Sequence, residues 1–272
     1  HDLTNDGVPE IIQASPKPTA YNNMGQLIHQ ANVNTDTLPG GAQLQPVLAD
    51  IDGDGSVELL TGRDVLRFNA ATRQWVTVNS AGVGLGLTGL ADFGTFGANA
   101  ANDDRTKLDG IPEIVLITVE GRVRVQTAAG RVIFNVVHPG TIGGSPTIAD
   151  FDKDGRVEIG VAGAQGYAVF APDCRAGASA TVCPSGAVNG ILWQKATQDS
   201  SGFTGSTVFD FDGDGRPKVV YADECFLRIY DGASGEVYAS IPNRSQTYYE
   251  GPVVADTNGD LQADIVVAQN EL

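Results

Sequence analysis

One nine-residue stretch decides the fold: Asp150-Phe151-Asp152-Lys153-Asp154-Gly155-Arg156-Val157-Glu158. Carboxylates occupy positions 1, 3, 5 and 9 of this stretch. The glycine at position 6 permits a sharp turn that points the side-chain oxygens toward one centre, and the peptide carbonyl at position 7 can add another oxygen. Oxygen ligands in a flexible loop suit Ca²⁺ better than Mg²⁺ or Zn²⁺. The stretch therefore predicts a cation-binding turn.

The same frame, D-x-[DN]-x-D-G-x-x-[ED], recurs along the 272 residues. Its copies begin at residues 2, 50, 92, 150, 210 and 256, and we call the loops that they form loops one to six. The third copy is split, because Asp92 starts it and Asp109 and Glu113 finish it after an insertion. Three residues of the insertion can supply its position 3: Asn102, Asp103 and Asp104.

The predicted ligands are taken from positions 1, 3, 5, 7 and 9 of the frame, and not every position supplies one in every copy. They are Asp2, Asp6 and Glu10 in loop one; Asp50, Asp52, Asp54, Ser56 and Glu58 in loop two; Asp92, Asp109 and Glu113 in loop three; Asp150, Asp152, Asp154, Arg156 and Glu158 in loop four; Asp210, Asp212 and Asp214 in loop five; and Asp256, Asn258, Asp260, Gln262 and Asp264 in loop six. Solvated Asp-Gly turns are the simpler interpretation of one copy. Six copies argue against it, and we expect about four to six Ca²⁺ ions.

Besides the insertion in the third copy, two departures concern ligand positions. Thr4 stands at position 3 of loop one, and Lys218 stands at position 9 of loop five, so the fifth site is expected to be weak or empty. The frame is not an EF-hand, which needs a bidentate Glu at position 12 and flanking helices. Position 12 here holds Thr61, Val161, Tyr221 and Val267. The flanks are short apolar runs typical of strands, so each loop should join two strands.

The spacing between copies, 42 to 60 residues, predicts an all-β fold, a β-propeller of four-stranded blades. The whole chain is one propeller domain, with blades at about 1–44, 45–85, 86–143, 144–204, 205–250 and 251–272. We expect three strands in the first blade, four in each of the next four and two in the last. We expect these blades to be part of a seven-bladed ring, which needs more strands than these, so the natural protein should continue on both sides or a partner should fill the gap.

The chain resembles the FG-GAP/VCBS repeat family. The resemblance rests on the Asp-rich loops, the strand after each loop and a preceding Gly/Pro segment, as in Gly144-Ser145-Pro146 and Gly251-Pro252. It covers nearly the whole chain. Such repeats form the propeller of integrin α subunits and of many bacterial secreted or surface proteins. The resemblance implies that Ca²⁺ binds at the rim of each blade, between its first two strands.

The composition excludes several classes of function. Against 33 acidic residues stand 17 Lys and Arg, which gives a formal net charge of −16 and makes nucleic-acid binding through a basic face untenable. The chain has no run of 18 apolar residues, so no membrane span is expected. Its 42% hydrophobic content is too high for a disordered chain.

The three cysteines give a second clue to location. Cys174 and Cys183 bracket a small Gly/Ala/Ser-rich loop, and their separation is compatible with a local disulfide. A disulfide and calcium-rich repeats together predict an extracellular or cell-surface protein. Cys225 is expected to be a small buried residue of a strand, or to pair with a cysteine beyond this chain.

No catalytic constellation is visible, and we expect a protein that is not an enzyme. The histidines His1, His29 and His138 share no spacing, and Trp75 and Trp193 are expected to pack between blades. Propeller ligands bind on the face made by the loops between blades, where Tyr248, Tyr249 and Glu250 suit a protein or carbohydrate ligand or else pack a blade edge. The leading hypothesis is an adhesion or interaction module. The alternatives are part of a secreted enzyme, such as a polysaccharide lyase, and a structural subunit of a surface assembly.

Overall fold

Short antiparallel strands make up almost all of the regular structure in a computed structural model of the chain. The structure describes residues 1–14, 16–34, 46–61, 64–79, 85–140, 143–248 and 250–270. Within these ranges the one helical segment is a 3₁₀ turn at Ala100–Asn102. No described helix is long and apolar enough to cross a membrane. The prediction of an all-β fold is confirmed.

The strands form six sheets in chain order, each made of consecutive strands. Sheet one holds β1 (Ile11–Gln13), β2 (Thr19–Tyr21) and β3 (Leu27–Gln30); sheet two holds β4 (Val47–Ala49), β5 (Glu58–Thr61), β6 (Asp64–Asn69) and β7 (Gln74–Asn79); sheet three holds β8 (Gly86–Ala91), β9 (Glu113–Thr118), β10 (Arg122–Gln126) and β11 (Val132–Val137). Sheet four holds β12 (Thr147–Ala149), β13 (Glu158–Gly163), β14 (Gly166–Arg175) and β15 (Asn189–Ala196); sheet five holds β16 (Ser206–Phe209), β17 (Lys218–Ala222), β18 (Phe226–Tyr230) and β19 (Val237–Pro242); sheet six holds β20 (Val253–Ala255) and β21 (Asp264–Val266). The described strands per sheet match the expected numbers.

The sheets contact one another in series through their first strands. Strand β4 contacts β8, β8 contacts β12, β12 contacts β16 and β16 contacts β20. Sheets one and two meet instead through their last strands, β3 and β7. First strands that meet in series form the inner layer of a propeller, with the later strands of each sheet farther out.

The core lies between adjacent sheets and is built by strands that are buried on both faces. In β13 and β14 successive side chains alternate between two apolar clusters. Val161 and Phe170 pack toward sheet three, while Tyr167 and Val169 pack toward sheet five. This alternation explains why the second and third strands of a sheet read as continuous apolar runs in the sequence.

Both tryptophans pack where two sheets meet, as predicted. Trp193 of β15 is 7% exposed, and its indole Nε1–H donates to the carbonyl of Gly232 in sheet five at 2.6 Å. The backbone N–H of Trp75 donates to His29 Nδ1 of sheet one at 3.2 Å. Trp75 is also 7% exposed and packs in one apolar cluster with Ala20 and Ala31, so each indole contributes apolar burial at a border between sheets.

The cysteines bear out one prediction and correct another. A disulfide joins Cys174, at the end of β14, to Cys183. Cys225 is exposed, because it lies in the turn between β17 and β18 and not inside a strand. Its backbone N–H donates to Asp223 Oδ1 at 2.9 Å, so the backbone serves the turn while the thiol faces solvent. The expectation of a buried strand residue was wrong.

Candidate metal centre

The strand register brings the two ends of each acidic loop together. The residue before position 1 ends the first strand and pairs with position 9, as in Ala149 with Glu158. The same pairing recurs in the other sheets whose first strand is described: Ala49 with Glu58, Ala91 with Glu113, Phe209 with Lys218, and Ala255 with Asp264. Positions 1 and 9 therefore lie close together at the base of the loop, as they must if both bind the same ion.

The position-1 carboxylate holds the turn through the backbone. In loop four Asp150 accepts from the N–H groups of Asp154 at 3.0 Å and Gly155 at 2.9 Å. In loop two the N–H of Gly55 donates to Asp50 at 2.8 Å and is the main cause that lowers the pKa of Asp50. Every loop has a bond from the N–H at position 6 to this carboxylate.

The position-5 carboxylate accepts from the backbone N–H of position 7 in all six loops, at 2.8 to 2.9 Å. Ser56, Arg156 and Gln262 are the position-7 residues that we predicted as ligands through their carbonyl oxygens. Their N–H groups bond to Asp54, Asp154 and Asp260. These bonds fix the peptide N–H at position 7. That the carbonyl oxygens at position 7 bind an ion stays a prediction.

The split third copy closes into the same turn. The N–H of Gly110 donates to Asp92 Oδ2 at 2.6 Å, although 18 residues separate them. The insertion is shut at its base by a bridge between Thr95 and Asp104. Asp104 accepts from Thr106, while Asp103 pairs with Arg131 at 2.5 Å. Asp104 thus has a partner within the insertion, and Asp103 has one in the connection between β10 and β11.

Three of the loops gather carboxylates closely enough to hold one ion. Among the described residues, three acids offer ligand atoms within 4.8 Å of one another in loops one, two and four: Asp2, Asp6 and Glu10; Asp50, Asp52 and Glu58; and Asp150, Asp152 and Glu158. In each set the position-9 glutamate is buried. These sets are the oxygen-rich, low-symmetry groupings that Ca²⁺ accepts.

Loop four shows the strongest repulsion at its position-9 acid. Glu158 is 3% exposed, and burial together with the charges of Asp152, Asp154 and Asp150 raises its pKa to about 9. The Oδ1 atom of Asp152 is buried and has no hydrogen-bond partner among the described residues. A buried carboxylate oxygen without a donor is costly, and a bound cation would remove that cost. The residues of loop four therefore fit a divalent cation.

In loop one the threonine at position 3 serves the position-9 acid. Thr4 Oγ1 donates to Glu10 Oε1 at 3.2 Å, and the N–H of Leu3 donates to Glu10 Oε2 at 2.6 Å. Asp2 and Asp6 complete the set of three. Loop one thus offers a smaller set of acids than loop four.

Loop two contains a guanidinium that the sequence frame did not reveal. Arg67 of β6 pairs across the hairpin with Glu58 and contacts three acids: Asp52 at 2.7 Å, Asp54 at 2.7 Å and Glu58 at 2.5 Å. Burial raises the pKa of Glu58, whereas the N–H of Ile51 and Arg67 act in the opposite direction. The signal for Arg67 was its place opposite position 9, which only the strand register reveals.

Loops three, five and six hold their acids differently. Burial, followed by the charges of Asp92 and Asp109, raises the pKa of Glu113 in loop three to about 7. In loop six Asp264 Oδ2 accepts from both the N–H and the hydroxyl of Thr257, at 3.0 and 2.5 Å. Asn258 Oδ1 accepts from the N–H of Asp260 at 2.9 Å. The acids Asp210, Asp212 and Asp214 of loop five share their loop with Lys218.

Loop six also breaks the frame at position 6, where Leu261 stands in place of glycine. Its φ is +65°, close to the +79° to +86° of the glycines at position 6 in the other five loops. The side chain is 94% exposed. The turn therefore imposes its left-handed backbone even on a residue with a β-carbon.

The aromatic cluster predicted on the inter-sheet loops is partly packed. The ring of Tyr248 lies edge-on to Phe203 at 5.7 Å between centroids, and Tyr248 is 47% exposed. The carbonyl of Glu250 accepts from the N–H of Gly205 at 2.8 Å. Tyr249 lies outside the described residues. The structure thus anchors one side of this segment to the connection before sheet five.

Known proteins resemble the chain in one repeat and in fold. A family model described as an FG-GAP-like repeat matches residues 210–267. The solved structure of the V. cholerae biofilm matrix protein Bap1 is 15% identical, with 99% of this chain and 73% of that chain covered at a TM-score of 0.52. The solved structure of BBS1N in complex with ARL6DN is 11% identical, with 99% and 74% covered at a TM-score of 0.56.

No curated protein matches the chain in sequence. The two solved structures share the fold of this chain, as their TM-scores show, and that fold is of the propeller type. The matched segment runs from loop five to the end of β21, so it contains two of the acidic loops. Residues 210–267 thus match an FG-GAP-like repeat and lie within a propeller-type fold.

Proposed function

We propose that this chain is a calcium-binding propeller domain that works outside the cell as an adhesion or interaction module. The observation that carries the proposal is the convergence of carboxylates in loop four around the buried Glu158 and the unpartnered oxygen of Asp152. A Ca²⁺ ion at this point would offset the repulsion and join the two strands of the hairpin. Sites of extracellular modules bind with dissociation constants on the order of 10⁻⁴ to 10⁻³ M.

The proposed role is not catalytic. Two of the histidines are engaged with the backbone, because His138 Nε2 bonds to the carbonyl of Val161 at 3.0 Å and His29 accepts from Trp75. His138 is 2% exposed, and burial lowers its pKa, which favours the neutral ring. A buried neutral histidine whose ring bonds to the backbone of Val161 and Gly140 supports packing rather than proton transfer.

A protein or carbohydrate ligand would bind on the face formed by the loops between sheets. Tyr248 supports this proposal, because Phe203 holds one edge of its ring while nearly half of the residue stays exposed. Aromatic side chains held in this way bind at low cost in conformational entropy. The disulfide between Cys174 and Cys183 supports a location outside the cytosol.

The calcium proposal is tested by counting ions on the full chain. Chelator-treated protein is titrated with Ca²⁺ by calorimetry, and bound ions are counted by native mass spectrometry. Glu158→Gln should lose one ion, or weaken one site by more than about tenfold, because a neutral amide replaces a buried charged ligand. Glu236→Gln is the matched control, since Glu236 is an exposed acid outside the loops. Equal stoichiometry and affinity in Glu158→Gln and wild type would contradict the assignment.

A further inference from the structure

Loop five keeps the backbone of the other loops while losing an acid at position 9. Asp210 accepts from the N–H groups of Asp214 at 3.2 Å and Gly215 at 2.7 Å. Asp214 accepts from the N–H of Arg216 at 2.8 Å. The turn is therefore built in full, and Lys218 occupies the place at the start of β17 where the other loops carry Glu or Asp.

The ammonium of Lys218 lies among the atoms that would hold an ion. Its Nζ is 2.8 Å from Oδ2 of Asp212, the position-3 acid, and donates to the carbonyl of Arg216, the position-7 residue, at 3.4 Å. These are two of the oxygen types that the frame assigns to Ca²⁺. The lysine thus brings a positive charge to the loop from within the chain.

The surroundings keep this charge in place. The side chain of Lys218 is 4% exposed, whereas that of Asp212 is 37% exposed. Tyr238 of β19 donates through its hydroxyl to Asp212 Oδ1 at 3.2 Å, and its ring centroid lies 5.9 Å from the ammonium. A second ammonium, that of Lys153 in loop four, donates to the carbonyl of Asp214 at 2.5 Å. Two lysines therefore supply charge and hydrogen bonds to an acidic loop.

We propose that Lys218 replaces the cation of loop five, so that this loop keeps its turn without a metal ion. An ammonium at the ligand oxygens offsets the charge of the acids and blocks the space that Ca²⁺ needs. Loops one, two and four keep a glutamate at position 9, and in loop two Ca²⁺ would have to displace the Arg67 guanidinium from Asp52, Asp54 and Glu58. The inference rests on the proposed function, because it requires that other loops bind Ca²⁺.

The test compares the number of Ca²⁺ ions on the full chain in three forms: wild type, Lys218→Glu and the control Lys17→Glu. Lys17 lies between β1 and β2, outside the acidic loops. Lys218→Glu should bind one ion more than the other two forms, because it restores the position-9 acid. Native mass spectrometry counts the ions, and circular dichroism in Ca²⁺ confirms folding. No additional ion on folded Lys218→Glu overturns the inference.

A second variant keeps the inference testable if Lys218→Glu does not fold. Asp212→Asn should leave the ion count unchanged and lower the melting temperature equally in Ca²⁺ and in chelator, since only the ammonium partner is lost. The loss of one ion in Asp212→Asn overturns the inference. If the wild-type chain binds Ca²⁺ but the two variants do not give these ion counts, only the inference about Lys218 is wrong and the proposed function still holds. A wild-type chain that binds none overturns both.

Discussion

At the scale of single residues, the position-9 acid does more than the sequence frame predicts. One of its oxygens accepts the N–H of position 2 and so ties the two ends of the loop, as Glu158 does with Phe151 at 2.8 Å and Asp264 with Thr257 at 3.0 Å. In loop two the other oxygen contacts a cation, the guanidinium of Arg67. The acid was predicted only as a ligand, because a linear frame does not reveal backbone hydrogen bonds.

The residue at position 6 of loop six offers a direct test of turn strain. A residue with a β-carbon costs about 1–2 kcal/mol in the left-handed region, and glycine avoids this cost. Leu261 has a φ of +65° and its side chain is 94% exposed, so little packing is lost on truncation. Leu261→Gly should raise the free energy of unfolding by about 0.5–1 kcal/mol, after the greater flexibility of glycine in the unfolded chain is allowed for. Chemical denaturation measures the change.

Leu261→Ala is the matched control, because alanine keeps the β-carbon and removes the rest of the side chain. It should give no comparable gain. If alanine and glycine stabilise the chain equally, removal of an exposed apolar side chain explains the effect and turn strain does not.

At the scale of elements, the acidic frame predicted the hairpins because it fixes both their spacing and their register. The first strand ends before position 1 and the second begins at position 9, so the first two strands of sheet four could be located from the sequence alone. Side chains that enter a loop from elsewhere could not be found in this way. Arg67 reaches loop two from the third strand of its sheet, and Lys153 reaches loop five from loop four.

The segment closed by the disulfide, from Cys174 to Cys183, lies beside loop four and contacts the side chain of Arg156 in that loop. The Nε of Arg156 lies 2.8 Å from Asp173 Oδ2 in an ion pair, and its Nη2 donates to the carbonyl of Val182 at 2.8 Å. Asp173 precedes Cys174, and Val182 precedes Cys183. The guanidinium also pairs with Asp154, the position-5 acid of the loop. The disulfide therefore fixes the two groups that orient Arg156.

Opening the disulfide should loosen loop four. We expect the Cys174→Ser/Cys183→Ser variant to lose about 2–3 kcal/mol of stability, the usual contribution of a short disulfide loop. Hydrogen exchange should quicken about fivefold or more at residues 150–158, because the partners of Arg156 become mobile, a local opening of order 1 kcal/mol. Mass spectrometry of peptides localises the change.

Two comparisons make this expectation specific. Cys225→Ser removes an exposed cysteine outside the disulfide and should leave exchange at residues 150–158 unchanged. Residues 50–58 of loop two should keep their exchange rates in the double variant. Faster exchange in both loops would indicate general destabilisation and would contradict a local link between the disulfide and loop four.

At the scale of the whole molecule, the net charge of −16 is concentrated in the six loops, which hold about two thirds of the acidic residues. Neighbouring loops lie close together, since the Lys153 ammonium reaches the backbone of Asp214. A β-carbon on Gly53 of loop two would contact Ile111 of loop three at 3.4 Å. Charge in one loop therefore acts on the next, and cations should stabilise the set of loops as a whole.

Removal of Ca²⁺ should therefore destabilise the entire fold, and salt should restore part of the loss. Three ions, each at about ten times its dissociation constant, contribute about 4 kcal/mol, which corresponds to a melting temperature higher by about 10 °C. In chelator, 1 M NaCl should recover part of this difference, because the screening length falls to about 3 Å. Mg²⁺ at the same concentration is the control and should recover less, since its octahedral preference fits these loops poorly. Scanning calorimetry that gives equal melting temperatures in Ca²⁺ and in chelator would contradict calcium as the stabilising ion.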